Sequence, residues 1–534
     1  MNTLQTINSN IIFDLVIENG TVIFGYDKAS EISNIGIIRD RIHTISKEKL
    51  KGKKVISAEH LYVSPGFIDV HSHSDISSFS NKTCSSKLYQ GVTTEINGNC
   101  GIGIFPGTSE NQDNLAKYIQ THSDINYHPI PLNRINSFSS LKNELEKYQL
   151  DTNQGFLVGS GCIRIAVMGF KSNFASSKEI YQMKKLLKKQ FDEGALGISF
   201  GLLYQPGNFM SREEIIELLK VVKAYDKIAS FHIRDEGDKI IESIEEVVFY
   251  SKMSGAKVHV SHLKIMNKNN WGKANQVLNL LEKAKQDGAD ISFDQYPYNA
   301  SCTNLFVLLP ENIFTGDISL FIDSIPRFSE DILVQIAKKI EKRGGGKNII
   351  ISNNFYDKIN FSGKSLYQIS IFLQLSEAES VLYLIEKSCG AAQAIYFSLN
   401  MKDVEIFLKS NLGVVASDGN SFPMNDCFNL GTPHPRSFGT FPRYINIMKY
   451  QLPIEDIINR ITAKPAKIFK VLSRGEIRPT YFADLTIFNL NKIRDNSIFE
   501  NPYLKPDGIE YVIINGEVII NKGLALNLRN GKII

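Results

Sequence analysis

The sequence predicts an α/β protein: a (β/α)8 barrel of the TIM type, with a small β-sandwich domain formed by both termini and an inserted lid. Three observations support this fold class. The middle of the chain alternates short apolar runs with longer helix-like stretches, which is typical of a parallel sheet with crossover helices. Both ends are rich in short strand-like runs, and one segment near the last barrel strand is much longer than a single βα unit needs.

Eight strand candidates follow one another through the middle of the chain. They are residues 67–71, 92–97, 155–159, 195–199, 229–233, 257–262, 291–296 and 414–418. Eight parallel strands close a barrel, and barrel enzymes carry their sites at the C-terminal ends of the strands. Most of the candidates end at or near a reactive side chain, so the pattern predicts an enzyme as well as a fold.

The two strand-rich ends are predicted to form one small domain from residues 1–64 and 470–534, because isolated hairpins are only marginally stable. The barrel domain then spans residues 65–469. Residues 301 to about 364 contain prolines and a run of glycines and are predicted to form the lid over the barrel mouth. Long excursions in compact domains are commonly functional lids.

Composition excludes several classes of partner. The net charge is only +4 over 534 residues, and lysine runs such as 184–189 are typical of a solvated helix face, so neither nucleic acid nor a membrane surface is expected. The apolar run near the start is too short for a secretory or membrane segment, which predicts a cytoplasmic protein. The 6 cysteines include no C-x-x-C pair and are expected to be free thiols.

The stretch from Pro65 to Asp75 contains the most visible candidate site. A Pro-Gly turn leads into a short apolar run that ends at His71 and His73. On a strand, residues two apart project from the same face, so both imidazoles could hold one metal ion. The alternative is a polar loop that happens to contain two histidines, because an H-x-H pair alone is a short motif.

Three further residues at strand ends supply suitable metal ligands, namely Cys100, His232 and His262, and the carboxyl group of Asp418 follows the last strand. Imidazole and thiolate bind zinc well, and a hydrolytic zinc site needs an open position beside a carboxylate. Taken singly, the cysteine is also compatible with a small buried apolar residue and each histidine with a structural role. Taken together they favour a metal site, because unpaired buried polar groups are costly. His259 is expected to face away from His262, since an odd number of residues separates them.

Several motifs resemble one known family. They include G-N-C-G at Gly98, H-I-R at His232, S-H-L-K at Ser261, D-Q-Y-P-Y at Asp294 and H-P-R at His434. With P-G-F-I-D-V-H-S-H-S-D at Pro65, they are similar to motifs of the N-acyl-D-amino-acid deacylases, or D-aminoacylases, of the amidohydrolase superfamily. The resemblance runs in order over nearly the whole chain.

This resemblance implies zinc-dependent hydrolysis of the amide bond of a small N-acyl-D-amino acid. By position, it implies a tightly bound Zn²⁺ at Cys100, His232 and His262, and a second, weaker metal position at His71, His73 and Asp418. It also implies that Asp418 is the catalytic acid and base. The residues implied to bind the α-carboxylate of the substrate are Lys264, Tyr296 and Arg436.

The chain departs from the family pattern at a few positions. Leu263 and Ser160 stand where a histidine is usual, and the loop between Asp418 and His434 is longer than expected, with Phe422, Met424, Cys427 and Phe428 in it. The stretch 304–310 is apolar and contains no arginine. It therefore predicts an apolar D-amino acid, such as leucine, methionine or phenylalanine, rather than an acidic one.

Two other functions are compatible with a barrel of this kind. A cyclic amidase of the hydantoinase or dihydropyrimidinase type would use a carbamylated lysine as a metal ligand, but no lysine ends the run 195–199. A non-catalytic scaffold that has lost its metal is the other alternative. It would have no reason to retain His71, His73, Cys100, His232, His262 and Asp418.

Overall fold

A closed parallel barrel forms the centre of the structure. The computed structural model describes residues 11–79, 85–122, 130–311, 313–325, 329–353, 359–424 and 431–534. The barrel strands are β6 (Phe67–Asp69), β7 (Val92–Asn97), β8 (Asn153–Gly159), β9 (Gly197–Gly201), β10 (Ile228–His232), β11 (Lys257–Val260), β12 (Ile291–Gln295) and β16 (Gly413–Val415). Each corresponds to one of the eight predicted strands, with boundaries shifted by a few residues.

The strands follow the order β16-β12-β11-β10-β9-β8-β7-β6, and every neighbouring pair is parallel. The first and last strands meet just beyond their C-terminal ends, where the amide of Asp418 donates to the carbonyl of His71 at 2.9 Å. The amide of His73 likewise donates to the carbonyl of Gly419 at 3.0 Å. These bonds close the barrel and confirm the predicted fold class.

Helices cover the outside of the barrel. They are α1 (Ser86–Tyr89), α2 (Gln112–His122), α3 (Phe138–Leu145), α4 (Ser160–Met168), α5 (Ser177–Asp192), α6 (Arg212–Ala224), α7 (Ile240–Ser254), α8 (Ala274–Gln286), α13 (Met401–Lys409), α14 (Arg436–Met448), α15 (Ile454–Asn459) and α16 (Ala463–Phe469). Local sequence explains their start points. Helix α5 begins with a capping box, in which Ser176 accepts from the Glu179 amide and Glu179 accepts from the Ser176 amide. Its apolar side packs on the barrel through Met183 and Leu187, while Lys185 is exposed.

Both ends of the chain form one nine-stranded sheet beside the barrel. Its strands are β1 (Ile12–Val22), β2 (Glu31–Ile38), β3 (Arg41–Ser46), β4 (Lys51–Ser57), β5 (Tyr62–Pro65), β17 (Leu485–Phe488), β18 (Ile509–Ile514), β19 (Glu517–Asn521) and β20 (Leu524–Ala525). The N-terminal and C-terminal parts join where β5 pairs antiparallel with β17. Strand β5 leads directly into β6, so the sheet anchors the first barrel strand.

An insert between β12 and β16 has its own sheet and apolar core. Strands β13 (Ser301–Asn304), β14 (Ile349–Asn353) and β15 (Gln393–Tyr396) are antiparallel, in the order β13-β15-β14. Helices α9 (Ile318–Ser324), α10 (Glu330–Lys342), α11 (Leu366–Leu373) and α12 (Glu377–Lys387) belong to the same segment. Because β15 pairs with β13, the insert continues beyond residue 364 to Tyr396. Its role as a lid stays a prediction.

Two sequence-level expectations concern membranes and cysteines. Among the described residues, none of the helices combines the length and apolar character that crossing a membrane requires. Cys100, Cys162 and Cys389 are free thiols. Cys84 and Cys427 lie outside the described residues.

Candidate metal centre

The predicted metal ligands lie at the C-terminal ends of the barrel strands. Cys100, His262 and Asp418 follow strands β7, β11 and β16, and all three have left-handed backbone conformations, with φ of 56°, 37° and 49°. Residues with a Cβ atom rarely adopt this region, at a cost of about 1–3 kcal/mol each, and such conformations concentrate at functional sites. The turns therefore aim three reactive side chains at one place.

Two glycines permit the turn that carries Cys100. Gly98 and Gly101 have φ of 76° and 74°. A Cβ atom on Gly98 would lie 2.1 Å from the carbonyl oxygen of Leu157, and one on Gly101 would lie 2.5 Å from the amide nitrogen of Gly201. Only glycine fits at either position. The G-N-C-G motif is thus a steric requirement for the position of Cys100.

The structure brings all six candidate ligands together in two overlapping groups. His71, His73, Cys100 and Asp418 form one group, and Cys100, His232 and His262 form the other, with the potential ligand atoms of each group within 4.8 Å of one another. Cys100 belongs to both. Its Sγ atom lies 3.3 Å from Nε2 of His71 and 3.3 Å from Nε2 of His262.

Asp418 completes the first group. Its Oδ1 atom lies 3.1 Å from Nε2 of His73 and 3.3 Å from Nε2 of His71. Burial raises the pKa of this carboxyl, but the Arg436 guanidinium and the neighbouring histidines outweigh burial and hold the pKa well below its usual range. The side chain is therefore a carboxylate at neutral pH, the form that can bind a metal or accept a proton.

The side chain of Cys100 also favours its anionic form, the thiolate. Burial raises the pKa of its thiol, but the His71 and His262 imidazoles outweigh burial and bring the pKa well below its ordinary value. The thiolate is the form of cysteine that binds metals. A buried thiolate and carboxylate among four histidines is a donor set suited to zinc.

His232 provides an independent test of whether a metal fits. The residue is 3 % exposed, and neither ring nitrogen has a hydrogen-bond partner among the described residues. Burial lowers the pKa of His232, which favours the neutral imidazole that binds metals. Buried polar atoms without partners are costly, and a metal ion held with Cys100 and His262 would satisfy one of these nitrogens.

Two carboxylates that sequence reasoning did not select support the ligands. Oδ2 of Asp294 lies 3.2 Å from Nδ1 of His71 and 3.0 Å from Nε2 of His259. Oε1 of Glu236 lies 3.1 Å from Nδ1 of His262 and accepts a hydrogen bond from Nζ of Lys264 at 2.6 Å. Such carboxylates fix the ring orientation of ligating histidines.

The sequence did contain weak signals for these carboxylates. Asp294 begins the D-Q-Y-P-Y segment, and Glu236 ends the H-I-R-D-E segment. His259 belongs to neither ligand group, and its Nε2 atom lies 3.0 Å from Oδ2 of Asp294.

The three residues expected to bind the substrate carboxylate also lie together. The ring centroid of Tyr296 is 5.7 Å from Nζ of Lys264 and 5.0 Å from Cζ of Arg436. Nη1 of Arg436 donates to Oδ2 of Asp418 at 2.6 Å. Two cations therefore flank a buried tyrosine beside Asp418 and could receive an anionic group.

A small cavity of about 70 Å³ gives access to this cluster. Its walls include the candidate ligands Cys100, His232 and Asp418, together with side chains from the insert. A second cavity of about 810 Å³ shares part of this lining, including Tyr204 and Arg343. The site is thus a narrow pocket that adjoins a wider one.

The departures from the family pattern lie around this site. Leu263 and Ser160 are buried. In the longer loop, the ring of Phe422 stacks on Phe438 at 5.3 Å between centroids, and Met424 is buried. Cys427 and Phe428 lie outside the described residues.

A (β/α)8 barrel with a cluster of metal donors at the C-terminal ends of its strands defines the class of metal-dependent amidohydrolases. No family model matches the chain. A D-aminoacylase from Alcaligenes xylosoxydans xylosoxydans is 30% identical over 520 residues, which cover 94% of each protein. An N-acyl-D-glutamate deacylase from the same organism is 29% identical over 94% of this chain and 93% of its own length. The chain belongs to the D-aminoacylase family.

Solved structures agree with this assignment. The N-acyl-D-glutamate deacylase of Bordetella bronchiseptica, complexed with zinc and a phosphonate inhibitor, is 25% identical, with a TM-score of 0.81 over 98% of this chain and 99% of that chain. A D-aminoacylase described as having a binuclear metal centre is 28% identical, with a TM-score of 0.78 over the same shares. A D-hydantoinase is 14% identical, with a TM-score of 0.54 over 98% of each chain, and shows the fold alone.

Proposed function

We propose that this protein hydrolyses the amide bond of N-acyl-D-amino acids to release a carboxylate and a free D-amino acid. One observation carries the proposal: metal donors, a buried carboxylate and two cations meet at one narrow pocket. The family relatives named as D-aminoacylase and N-acyl-D-glutamate deacylase support it.

Zinc is the proposed resident metal, with Cys100, His232 and His262 as its tighter position. His71, His73 and Asp418 form the proposed second, weaker position, and Cys100 lies within reach of both. When bound, zinc would lower the pKa of a water molecule to about 7 and polarise the scissile carbonyl. The thiolate sulfur of Cys100 and the imidazole nitrogens of His232 and His262 favour the tighter position, because nitrogen and sulfur are the ligands that zinc prefers.

Asp418 is the proposed acid and base. As a carboxylate with a depressed pKa it can accept the proton of the attacking water, and it then returns that proton to the departing amine. One group can perform both steps, because amide hydrolysis requires a base first and an acid second. Its Oδ1 atom faces His71 and His73, and its Oδ2 atom faces Arg436.

Arg436, Lys264 and Tyr296 are proposed to bind the α-carboxylate of the substrate. A guanidinium binds a carboxylate through two parallel hydrogen bonds, and a lysine adds a point charge. Arg436 now donates to Asp418 and Lys264 to Glu236. The α-carboxylate of a bound substrate would be a third anion beside the carboxylates of Asp418 and Glu236. Its contacts with Arg436 and Lys264 would orient the scissile amide toward Asp418.

The cyclic amidase alternative gains no support from the site. Strand β9 ends in Ser199, Phe200 and Gly201, and the Ser199 hydroxyl donates to the carbonyl of Gly98. This strand end therefore has no lysine that could be carbamylated.

The direct test is hydrolysis by zinc-loaded protein of N-acetyl-D- and N-acetyl-L-amino acids, beside hydantoin and dihydrouracil. Release of free amine measures turnover of the N-acetyl-D- and N-acetyl-L-amino acids. Loss of ring absorbance measures turnover of the two cyclic amides. We expect activity on D-configured acyl amino acids only. Turnover of a cyclic amide without turnover of any N-acetyl-D-amino acid would refute the proposal.

A further inference from the structure

Two nitrogen donors that the insert contributes to the site pocket are buried and have no hydrogen-bond partner among the described residues. They are Nη1 of Arg343 and Nε2 of Gln393. Both side chains line the same pocket as Cys100 and Asp418. Buried donors without partners are rare and costly, and their presence beside a reaction centre suggests that a ligand supplies the missing acceptor.

The insert holds both donors in place. Gln393 begins β15, is 4 % exposed, and pairs in register with Asn304 of β13. Arg343 follows the end of α10, and its Cζ atom lies 4.6 Å from the ring centroid of the buried Tyr396. A stacked guanidinium and a side chain on a sheet have few alternative positions, so both donors are oriented before a ligand binds.

The reaction proposed above does not use these donors. Lys264, Tyr296 and Arg436 are assigned to the α-carboxylate of the substrate. The carboxylate of Glu236 already contacts Lys264 and His262. Arg343 instead lines both the narrow pocket and the wider cavity beside it. A guanidinium is charged at neutral pH, so Arg343 is a third cation of this pocket, beside Lys264 and Arg436.

We propose that Arg343 and Gln393 bind a second carboxylate of the substrate, so that the preferred substrates are doubly anionic N-acyl-D-amino acids. This inference rests on the deacylase function proposed above and specifies its substrate class. It replaces the expectation of an apolar side chain, which followed from the lack of arginine in residues 304–310. The structure brings an arginine to the pocket from a more distant part of the chain.

The chemistry explains why the preference would be strong. A carboxylate accepts hydrogen bonds from both donors, whereas an apolar group would leave a buried guanidinium nitrogen unpaired. Hydrogen bonds to charged groups contribute enough to change an equilibrium about 10- to 100-fold. The second carboxylate could belong to the amino-acid side chain or to the acyl group, since either can extend from the scissile amide.

The first experiment compares kcat/KM of the zinc-loaded enzyme for substrates that differ in this group. N-acetyl-D-glutamate is compared with the near-isosteric N-acetyl-D-glutamine, and N-succinyl-D-leucine with N-acetyl-D-leucine. A preference of about 10-fold or more in the first pair places the second carboxylate on the side chain, and in the second pair on the acyl group. Equal or greater efficiency with both neutral substrates overturns the inference.

The second experiment measures the same ratios in variants. Arg343→Met removes the positive charge, and Gln393→Glu replaces the amide donor with a carboxylate in the lining of the same pocket, which would repel a second carboxylate of the substrate. Each is expected to lower the dianion preference by about 10-fold or more. Lys342→Met is the matched control, because Lys342 is exposed, lines only the wider cavity, and pairs with Asp238 at 2.9 Å.

Outcomes of the variants separate this inference from the deacylase function. If Arg343→Met and Gln393→Glu lose the preference for the doubly anionic substrate and Lys342→Met keeps it, the inference is supported. An unchanged ratio in both site variants overturns it while leaving the deacylase function intact. If Arg343→Met does not fold, Gln393→Glu and the wild-type substrate pairs decide. If no N-acyl-D-amino acid is hydrolysed by the wild type, the deacylase function itself fails.

Discussion

The Nδ1 atom of His71 lies 3.2 Å from the Oδ2 atom of Asp294, and neither side chain is accessible to solvent beyond 1%. This contact holds the His71 ring so that its Nε2 atom points at Cys100 and Asp418. The same carboxylate accepts from the amide of His262 through Oδ1 at 2.9 Å. Asp294 thus links members of both candidate ligand groups and is a positioning residue.

Replacing Asp294 should therefore weaken metal binding without removing a ligand. For Asp294→Asn we expect a loss of about 10- to 100-fold in metal affinity or kcat/KM, since supporting carboxylates contribute about that much. Competition with a chromophoric chelator measures the affinity. Asp290→Asn is the control, because Asp290 is exposed and lies just before β12, at the other end of that strand from the site. Wild-type zinc affinity in Asp294→Asn would contradict the assigned role.

Asp418→Asn tests the proposed acid and base. Amide replaces carboxylate at nearly the same shape, so the tighter metal position should stay occupied while kcat falls by about 100- to 10,000-fold. Metal content by mass spectrometry and kcat on the same preparation give both quantities. Normal turnover by a variant with normal metal content would exclude Asp418 from proton transfer.

The ranking of the two metal positions is tested by comparing His71→Ala with His232→Ala. We expect His71→Ala to retain one equivalent of zinc with reduced activity, because Cys100, His232 and His262 remain. His232→Ala should lose the tighter zinc and nearly all activity. Metal analysis after dialysis is the measurement. Complete loss of metal in His71→Ala, with retention in His232→Ala, would reverse the ranking.

A buried ion pair next to the site predicts a large effect on stability. Nζ of Lys87 is fully buried and donates to Oδ2 of Asp69 at 2.5 Å and to Oγ of Ser417 at 2.7 Å. Lys87→Met leaves the Asp69 carboxylate buried without its cation, which should cost about 3–5 kcal/mol. Urea unfolding followed by far-UV circular dichroism measures the change.

Lys188→Met, on an exposed face of α5, is the control for that measurement and should change stability by no more than about 0.5 kcal/mol. A similarly small effect of Lys87→Met would show that Asp69 finds another partner or takes up a proton. Because Ser417 precedes Asp418, loss of activity is also expected in Lys87→Met.

The barrel could be predicted from the sequence because its signals are local. Each strand is a short apolar run followed by a helix-like stretch, and this periodicity does not depend on distant parts of the chain. The side chains at the strand ends could be recognised for the same reason. Once eight parallel strands close a barrel, their C-terminal ends must meet, so His71, Cys100, His232, His262 and Asp418 must converge.

The insert could not be delimited in this way. Strand β15 pairs with β13, which lies far earlier in the chain, and no local pattern connects the two. The sequence therefore indicated an excursion after residue 301 but not its continuation to Tyr396. The predicted apolar specificity rested on residues 304–310 alone, and a local pattern could not show that Arg343, at the end of α10, also lines the pocket.

The fold class, the eight strands and the candidate metal donors could all be read from the sequence. The polar groups that support those donors, and the buried ones without a partner among the described residues, became evident from the packing of the folded chain. Asp294, Glu236, Arg343 and Gln393 acquire their significance from neighbours distant in the chain. The physical reason is that periodicity is a local property, whereas hydrogen-bond partners and burial depend on how separate segments pack.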